Sequence, residues 1–162
     1  MKSTLFIILS LILLTSCKDD NSVDTNKEAV NLSFDEVLNY PSFLDFESVY
    51  NNYSLDENYI DSIKSAISSD DKIYLYLKPD CGCTVSYKLF PSVVKTLDSA
   101  GFSEDNIKYY IMESEENPYP ESDFINITDL PQFFVANDNG VFDITNTSDT
   151  ILIEQVIYNS LK

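Results

Sequence analysis

Ile73-Tyr74-Leu75-Tyr76-Leu77-Lys78-Pro79-Asp80-Cys81-Gly82-Cys83-Thr84 decides how the rest of the chain is read. Its first five residues are apolar or aromatic with no charge on either face, the pattern of a short strand buried on both sides. Lys78-Pro79-Asp80 ends that strand, and two cysteines one residue apart follow. Beyond them Val85, Leu89, Val93 and Leu97 recur four apart as far as Ala100-Gly101, which predicts an amphipathic helix closed by glycine. Pro91 falls inside it and predicts a kink, because proline in a helix interior costs about 3 kcal/mol. The dithiol thus stands where a buried strand hands over to a helix N-terminus. Unpaired N–H groups and the helix dipole both stabilise a thiolate at such a place. Cys81 is expected at the junction itself, with Cys83 further into the helix, more enclosed and less ionised.

Working outward, Leu55, Tyr59, Ile60, Ile63 and Ile67 have helical spacing, with Ser54 and Asp56 available at the N-terminal end. Residues 34–53 are rich in aromatics and interrupted by Pro41, which suggests short helices on the flank of the domain. Downstream, residues 107–112 read as a second strand. Residues 113–121 are acidic with two prolines, hence loop, and residues 122–126 read as one helical turn. Gln132-Phe133-Phe134-Val135-Ala136 and Val141-Phe142-Asp143-Ile144 flank Asn137-Asp138-Asn139-Gly140, a strong hairpin signal. A last helix is expected over residues 151–161, capped by Ser148 or Asp149. Strands separated by a helix run parallel by right-handed crossover, while the hairpin adds antiparallel strands. The fold class is therefore α/β, a central mixed β-sheet with helices on both faces.

Composition narrows the chemistry. The 162 residues are 44% hydrophobic and 23% charged, as in one ordinary globular domain, and the net charge of −17 repels nucleic acid and anionic headgroups. The sequence holds no His, Trp or Arg. That removes imidazole bases, Ser-His-Asp machinery and bidentate Arg clamps, and leaves carboxylates, Lys, Tyr, hydroxyls and Cys17, Cys81 and Cys83.

The start of the chain reads as an address. An apolar run of about ten residues after Lys2 has the length of a signal-peptide core and is too short to span a bilayer. It ends in Leu14-Thr15-Ser16-Cys17, which resembles the bacterial lipoprotein box, in which the Cys is acylated and becomes the new N-terminus. The plainer alternative is an ordinary signal peptide with a stray Cys at its end. On the lipoprotein reading, residues 1–16 are removed, residues 17–33 form a lipidated flexible tether, and residues 34–162 form the domain. Lys18-Asp19-Asp20 resembles the export signal of surface-exposed lipoproteins in Bacteroidetes, so the protein is expected in the bacterial cell envelope, on the periplasmic face or the cell surface.

The strand, the closely spaced cysteines, the proline-bearing helix, the second strand, and Leu130-Pro131 before a hairpin and terminal helix together resemble the thioredoxin superfamily, over roughly residues 55–162. The resemblance implies a thioredoxin-like fold and thiol-disulfide oxidoreductase or isomerase activity on cysteine-containing proteins or peptides. It implies attack by Cys81, resolution by Cys83, a cis peptide bond at Pro131 facing the cysteines, and backbone hydrogen bonds from Leu130 to a bound peptide. Such exchange calls for no cofactor and no metal. The chain departs from the family pattern at three places. Cys-Gly-Cys-Thr replaces Cys-x-x-Cys, so the resolving thiol is Cys83 or is absent with Thr84 in its place. Asp80 replaces the usual Trp and should raise the Cys81 pKa. Leu75 replaces a buried acid.

A Cys-x-Cys disulfide closes a smaller ring than Cys-x-x-Cys, and strain favours reduction, so the site should be oxidising. Three other readings of these residues stay open. The bridge could be a static staple, although so short a loop removes little unfolded-state entropy. Two thiolates could bind Cu(I) in a non-catalytic binding protein. Pro131 could be an ordinary trans turn proline. If Cys17 carries the lipid, Cys17→Ser should move the protein from the membrane pellet to the soluble fraction; unchanged fractionation would refute lipidation.

Overall fold

The computed structural model describes residues 27–145 and 152–162. The expected signal segment, Cys17, the tether up to residue 26 and the helix caps Ser148 and Asp149 lie outside the described residues. The elements are Val30–Leu32 (β1), Phe34–Val37 (α1), Phe46–Asn52 (α2), Glu57–Ala66 (α3), Lys72–Leu77 (β2), Phe90–Ala100 (α4), Ile107–Ile111 (β3), Gln132–Asn137 (β4), Gly140–Asp143 (β5) and Ile153–Ser160 (α5). A 3-10 turn at Pro41–Phe43 precedes α2, and a π turn at Val85–Leu89 runs directly into α4.

The strands form one mixed sheet in the order β1-β3-β2-β4-β5. β2 is parallel to β3, with Leu75 opposite Tyr109, and antiparallel to β4, with Leu75 opposite Phe133. The hairpin β4–β5 is antiparallel as its Asn-Gly turn predicts. β2 is thus the central strand, and its alternation feeds two cores. Ile73, Leu75 and Leu77 join Ile107, Tyr109, Ile111, Phe133 and Val135 on one face; Tyr76, Tyr110 and Phe134 lie on the other.

All five described helices pack on the first face. Val37, Phe46, Ile60, Ile63, Phe90, Val93, Leu97, Ile153 and Ile157 share its core. This corrects the expectation of helices on both sides. The second face is covered by the segment between β3 and β4, whose Ile125, Ile127 and Leu130 pack against Tyr76, Tyr110 and Phe134. Pro118 and Pro120 and a density of acids leave that segment little helical tendency. It retains one turn, closed by Ile125 N–H donating to Glu121 O at 2.8 Å.

The domain also begins before residue 34. Val30–Leu32, expected within the tether, pairs antiparallel with β3, Val30 opposite Ile111. Three residues are too few to show a period, so tertiary pairing alone reveals this strand. At the other end of α4, Gly101 adopts φ 80°, and Phe102 N–H donates to Leu97 O at 3.0 Å, the glycine-closed helix end that the sequence announces. Pro91 sits in the first turn of α4, where its missing N–H follows the π turn rather than interrupting a regular ladder. Ser92 Oγ donates to Lys88 O at 2.9 Å beside it.

The loop over the second face is held by a carboxylate. Glu121 accepts the Tyr76 hydroxyl at 2.9 Å and the Tyr110 hydroxyl at 2.8 Å, and the two phenol rings stack with centroids 5.1 Å apart. Tyr119 donates to Ile125 O at 2.9 Å and accepts Ile127 N–H at 3.3 Å. Among the helices, fully buried Glu154 accepts the Tyr53 hydroxyl at 2.9 Å and Asp56 N–H at 3.3 Å, fastening the α2–α3 linker to α5.

These contacts make stability pH-dependent on the alkaline side. Burial first, then the Glu121 carboxylate, pushes the Tyr76 and Tyr110 hydroxyls well above the usual phenol range of about 10. Burial and Asp98 push Tyr50 up to about 12, and burial and Glu154 raise Tyr53. Below pH 10 both states hold these protons and the contribution is intact; above it the unfolded chain releases them while the folded chain does not, so stability must fall. The melting temperature should therefore decline from about pH 10 upward, and more shallowly in Tyr76→Phe. A flat profile from pH 8 to about 11 would contradict this account.

Candidate functional site

The site is built where β2 ends. After Leu77 the chain turns through Lys78-Pro79-Asp80, and Ser42 from the first 3-10 turn donates its hydroxyl to Pro79 O at 2.6 Å. Cys81 N–H donates back to Lys78 O at 3.4 Å. Cys81 and Cys83 are disulfide-bonded, with Cα atoms 5.1 Å apart. Gly82 between them is exposed, and a Cβ there would meet nothing within 4 Å. Asp80 is exposed at the head of the same loop.

The helix starts later than its sequence period suggests. The helix begins at Thr84, with φ −56° and ψ −34°, so both cysteines precede it and Cys83 is not inside it. Both are half-buried, and Cys83 is no more enclosed by class than Cys81. The correction has a local cause: the apolar period fixes which face of a helix is buried but carries no information about its first residue, and Thr84 offers no side-chain cap bond to mark the start. Cys83 O accepts the Tyr87 N–H at 3.2 Å. Ser86, three residues on and fully buried, places its hydroxyl 3.5 Å from the Cys83 sulfur.

The segment that covers the second face of the sheet delivers the opposite wall. Leu130–Pro131 is a cis peptide bond, as the resemblance implies, and both residues are buried. A cleft of about 410 Å³ is lined by Cys83 and Val85 from the cysteine loop and helix start, by Thr128, Asp129, Leu130 and Pro131 from the covering segment, and by Gln132, Asp143 and Thr145 from the hairpin and the residues after it. The structure thus brings Cys83, Leu130 and Pro131 to one cleft; Cys81 reaches it through the disulfide.

This wall is fixed by hydrogen bonds. Gln132 accepts Thr128 N–H at 2.9 Å through Oε1 and donates to Asp143 Oδ2 at 2.7 Å. Thr145 Oγ1 accepts Phe133 N–H at 2.7 Å, and its own N–H donates to Asp143 Oδ1 at 2.8 Å. Leu130 N–H already donates to Asp129 Oδ1 at 2.8 Å. A peptide in the cleft would therefore meet the Leu130 carbonyl, or displace that carboxylate to reach the N–H.

Sequence reading missed Ser86, Asp129, Gln132 and Asp143. Ser86 was findable, because residues three apart on a helix share a face. The others come together only through the loop and the hairpin. The lining carries, among the described residues, the Asp129 and Asp143 carboxylates and no ammonium group. Among the described residues no three His, Cys, Asp or Glu side chains are grouped as a metal site. Among them, too, no helix is long and apolar enough to cross a membrane. No family model, curated protein or solved structure matches the chain.

Proposed function

We propose that this chain is a lipid-anchored thiol-disulfide oxidoreductase or isomerase of the bacterial cell envelope, with a thioredoxin-like fold and a Cys81–Cys83 redox pair. The observation that carries the reading is a disulfide whose Cys83 lines one cleft together with Leu130 and Pro131. A staple has no use for an adjoining cleft, whereas exchange needs room for a second pair of sulfurs beside the first. The sheet order, with the dithiol at the end of the central strand and the proline opening the next strand, supports the fold assignment.

In this reading a cysteine-containing peptide lies in the cleft against Leu130 and Pro131, held by apolar contact and by backbone hydrogen bonds. The pair exchanges two electrons with it through a mixed disulfide and needs no cofactor. The small Cys-x-Cys ring favours the open dithiol, which suits a donor or shuffler of disulfides in an extracytoplasmic compartment. Lipid on Cys17 would keep the domain at the envelope through its N-terminal segment.

Two measurements test this. Equilibration in a glutathione series should give a Cys81–Cys83 potential more positive than roughly −230 mV, whereas a value below about −300 mV would identify a structural bridge. The acidic lining adds a selectivity test. Disulfide peptides with Lys beside the cysteine should exchange faster than Glu-bearing ones, by on the order of tenfold at low salt, with the difference shrinking as salt screens it. Equal rates for the two peptides would remove the carboxylates from recognition.

A further inference from the structure

The two cysteines are not equivalent in their surroundings. Cys83 stands immediately before Thr84, which has helical dihedrals, and its carbonyl already accepts the Tyr87 N–H in an i to i+4 bond, so Cys83 adjoins the first turn of the helix. The unpaired N–H groups of a first turn point back toward the residues that precede it. Cys81 lies two residues further from that turn along the chain. A second, independent feature singles out the same sulfur: the fully buried Ser86 hydroxyl lies 3.5 Å from Cys83 Sγ. A third is access, since Cys83 lines the cleft with Leu130 and Pro131 and Cys81 does not.

We propose that exchange runs through Cys83, with Ser86 as its positioning residue and Cys81 as the leaving and resolving thiol. This deepens the oxidoreductase reading and rests on it, but it reverses the order of attack that the thioredoxin resemblance implies. In the oxidising direction, a thiolate of a reduced peptide dithiol attacks Cys83 Sγ. The Cys81–Cys83 bond breaks, and its electron pair leaves on Cys81, which takes up a proton. The second peptide thiolate then attacks the peptide sulfur of the mixed disulfide and expels Cys83 as a thiolate. The peptide leaves as a disulfide, having lost two electrons to the cysteine pair, and the remaining proton passes to solvent. The Ser86 hydroxyl and the first-turn N–H groups hold the charge left on Cys83. Among the described residues, the charged groups that line the cleft with it are the Asp129 and Asp143 carboxylates, and Asp80 lies three residues earlier on the same loop; carboxylates so placed oppose that charge.

The test uses the full chain in detergent. In the reduced protein, limiting iodoacetamide at neutral pH, read by fragment-ion mass spectrometry, should label Cys83 several-fold faster than Cys81. Ser86→Ala should raise the pH midpoint of Cys83 labelling by about one unit, as loss of one hydrogen bond to a thiolate implies, and leave that of Cys81 in place; Ser86→Thr, which keeps the hydroxyl, should restore it. With an oxidised Cys-x-x-Cys peptide, Cys81→Ser should trap a mixed disulfide through Cys83, and Cys83→Ser should trap none. Faster labelling of Cys81, or trapping by Cys83→Ser alone, overturns the assignment to Cys83 while exchange itself survives. An unmoved midpoint in Ser86→Ala overturns the role of Ser86. If neither single-cysteine variant traps the peptide, the exchange reading fails and the assignment with it.

Discussion

The paired hydrogen bonds from Tyr76 and Tyr110 to the Glu121 carboxylate hold the side of the sheet on which the cleft wall depends. Where an α/β sheet has helices on both faces, each helix supplies its own backbone hydrogen bonds. Here the second face is covered by irregular chain, whose polar groups must be satisfied one by one. Two bonds to an ionised acceptor contribute about 1.5–3 kcal/mol each, more than neutral bonds would, and they are made by adjacent strands. They tie residue 121 to both central strands at once. Ile125, Ile127 and Leu130 are then delivered to the apolar surface of Tyr76, Tyr110 and Phe134, and Pro131 follows at the start of β4.

The opposite wall is positioned by a different constraint. β2 is buried on both faces, so its end is fixed by the sheet, and the cysteine loop must turn from there into a helix packed on the first face. The π turn at Val85–Leu89 lies between the cysteines and Pro91. Such a turn lets the chain accommodate the missing proline N–H and re-aims the residues before it. Ser42 bonded to Pro79 O and the contact between the Phe43 and Phe90 rings, 5.1 Å apart, brace this turn from the N-terminal segment. The flank that looked incidental in sequence is therefore part of what orients the dithiol.

Much of the fold could be read from periodicity because the signals were local. The apolar run at 73–77, the four-residue spacing from Val85 to Leu97, Gly101 and the Asn139-Gly140 turn each encode one element and its end, and each element formed. What was not legible depends on distant partners. β1 is too short to carry a pattern, and nothing in residues 113–131 alone says that they lie on a sheet rather than in solvent; Glu121 looks like one acid among several until Tyr76 and Tyr110 meet it. The candidate site divides the same way. Cys81, Cys83, Leu130 and Pro131 were visible as residues, and the structure places three of them on one cleft. The relation between the cysteines was not visible, since the apolar period does not say where the helix starts, and the start at Thr84 puts Cys83 rather than Cys81 next to it.

The charge around the dithiol sets two effects against each other. Stabilising the reduced thiolate makes a disulfide more oxidising, and the helix start and Ser86 act in that direction at Cys83. Asp129, Asp143 and Asp80 act against it, in a chain whose net charge is already −17. These carboxylates are exposed, so water and salt screen them, and at 4 Å in bulk water two unit charges interact by only about 1 kcal/mol. Ser86 is fully buried and acts over one hydrogen bond, where screening is least. On the exchange proposed above, the buried hydrogen bond should therefore govern the sulfur, while the screened carboxylates should govern which peptides approach it. A site of that kind would keep a reactive cysteine on a strongly acidic surface and still use that surface to choose its partners by charge.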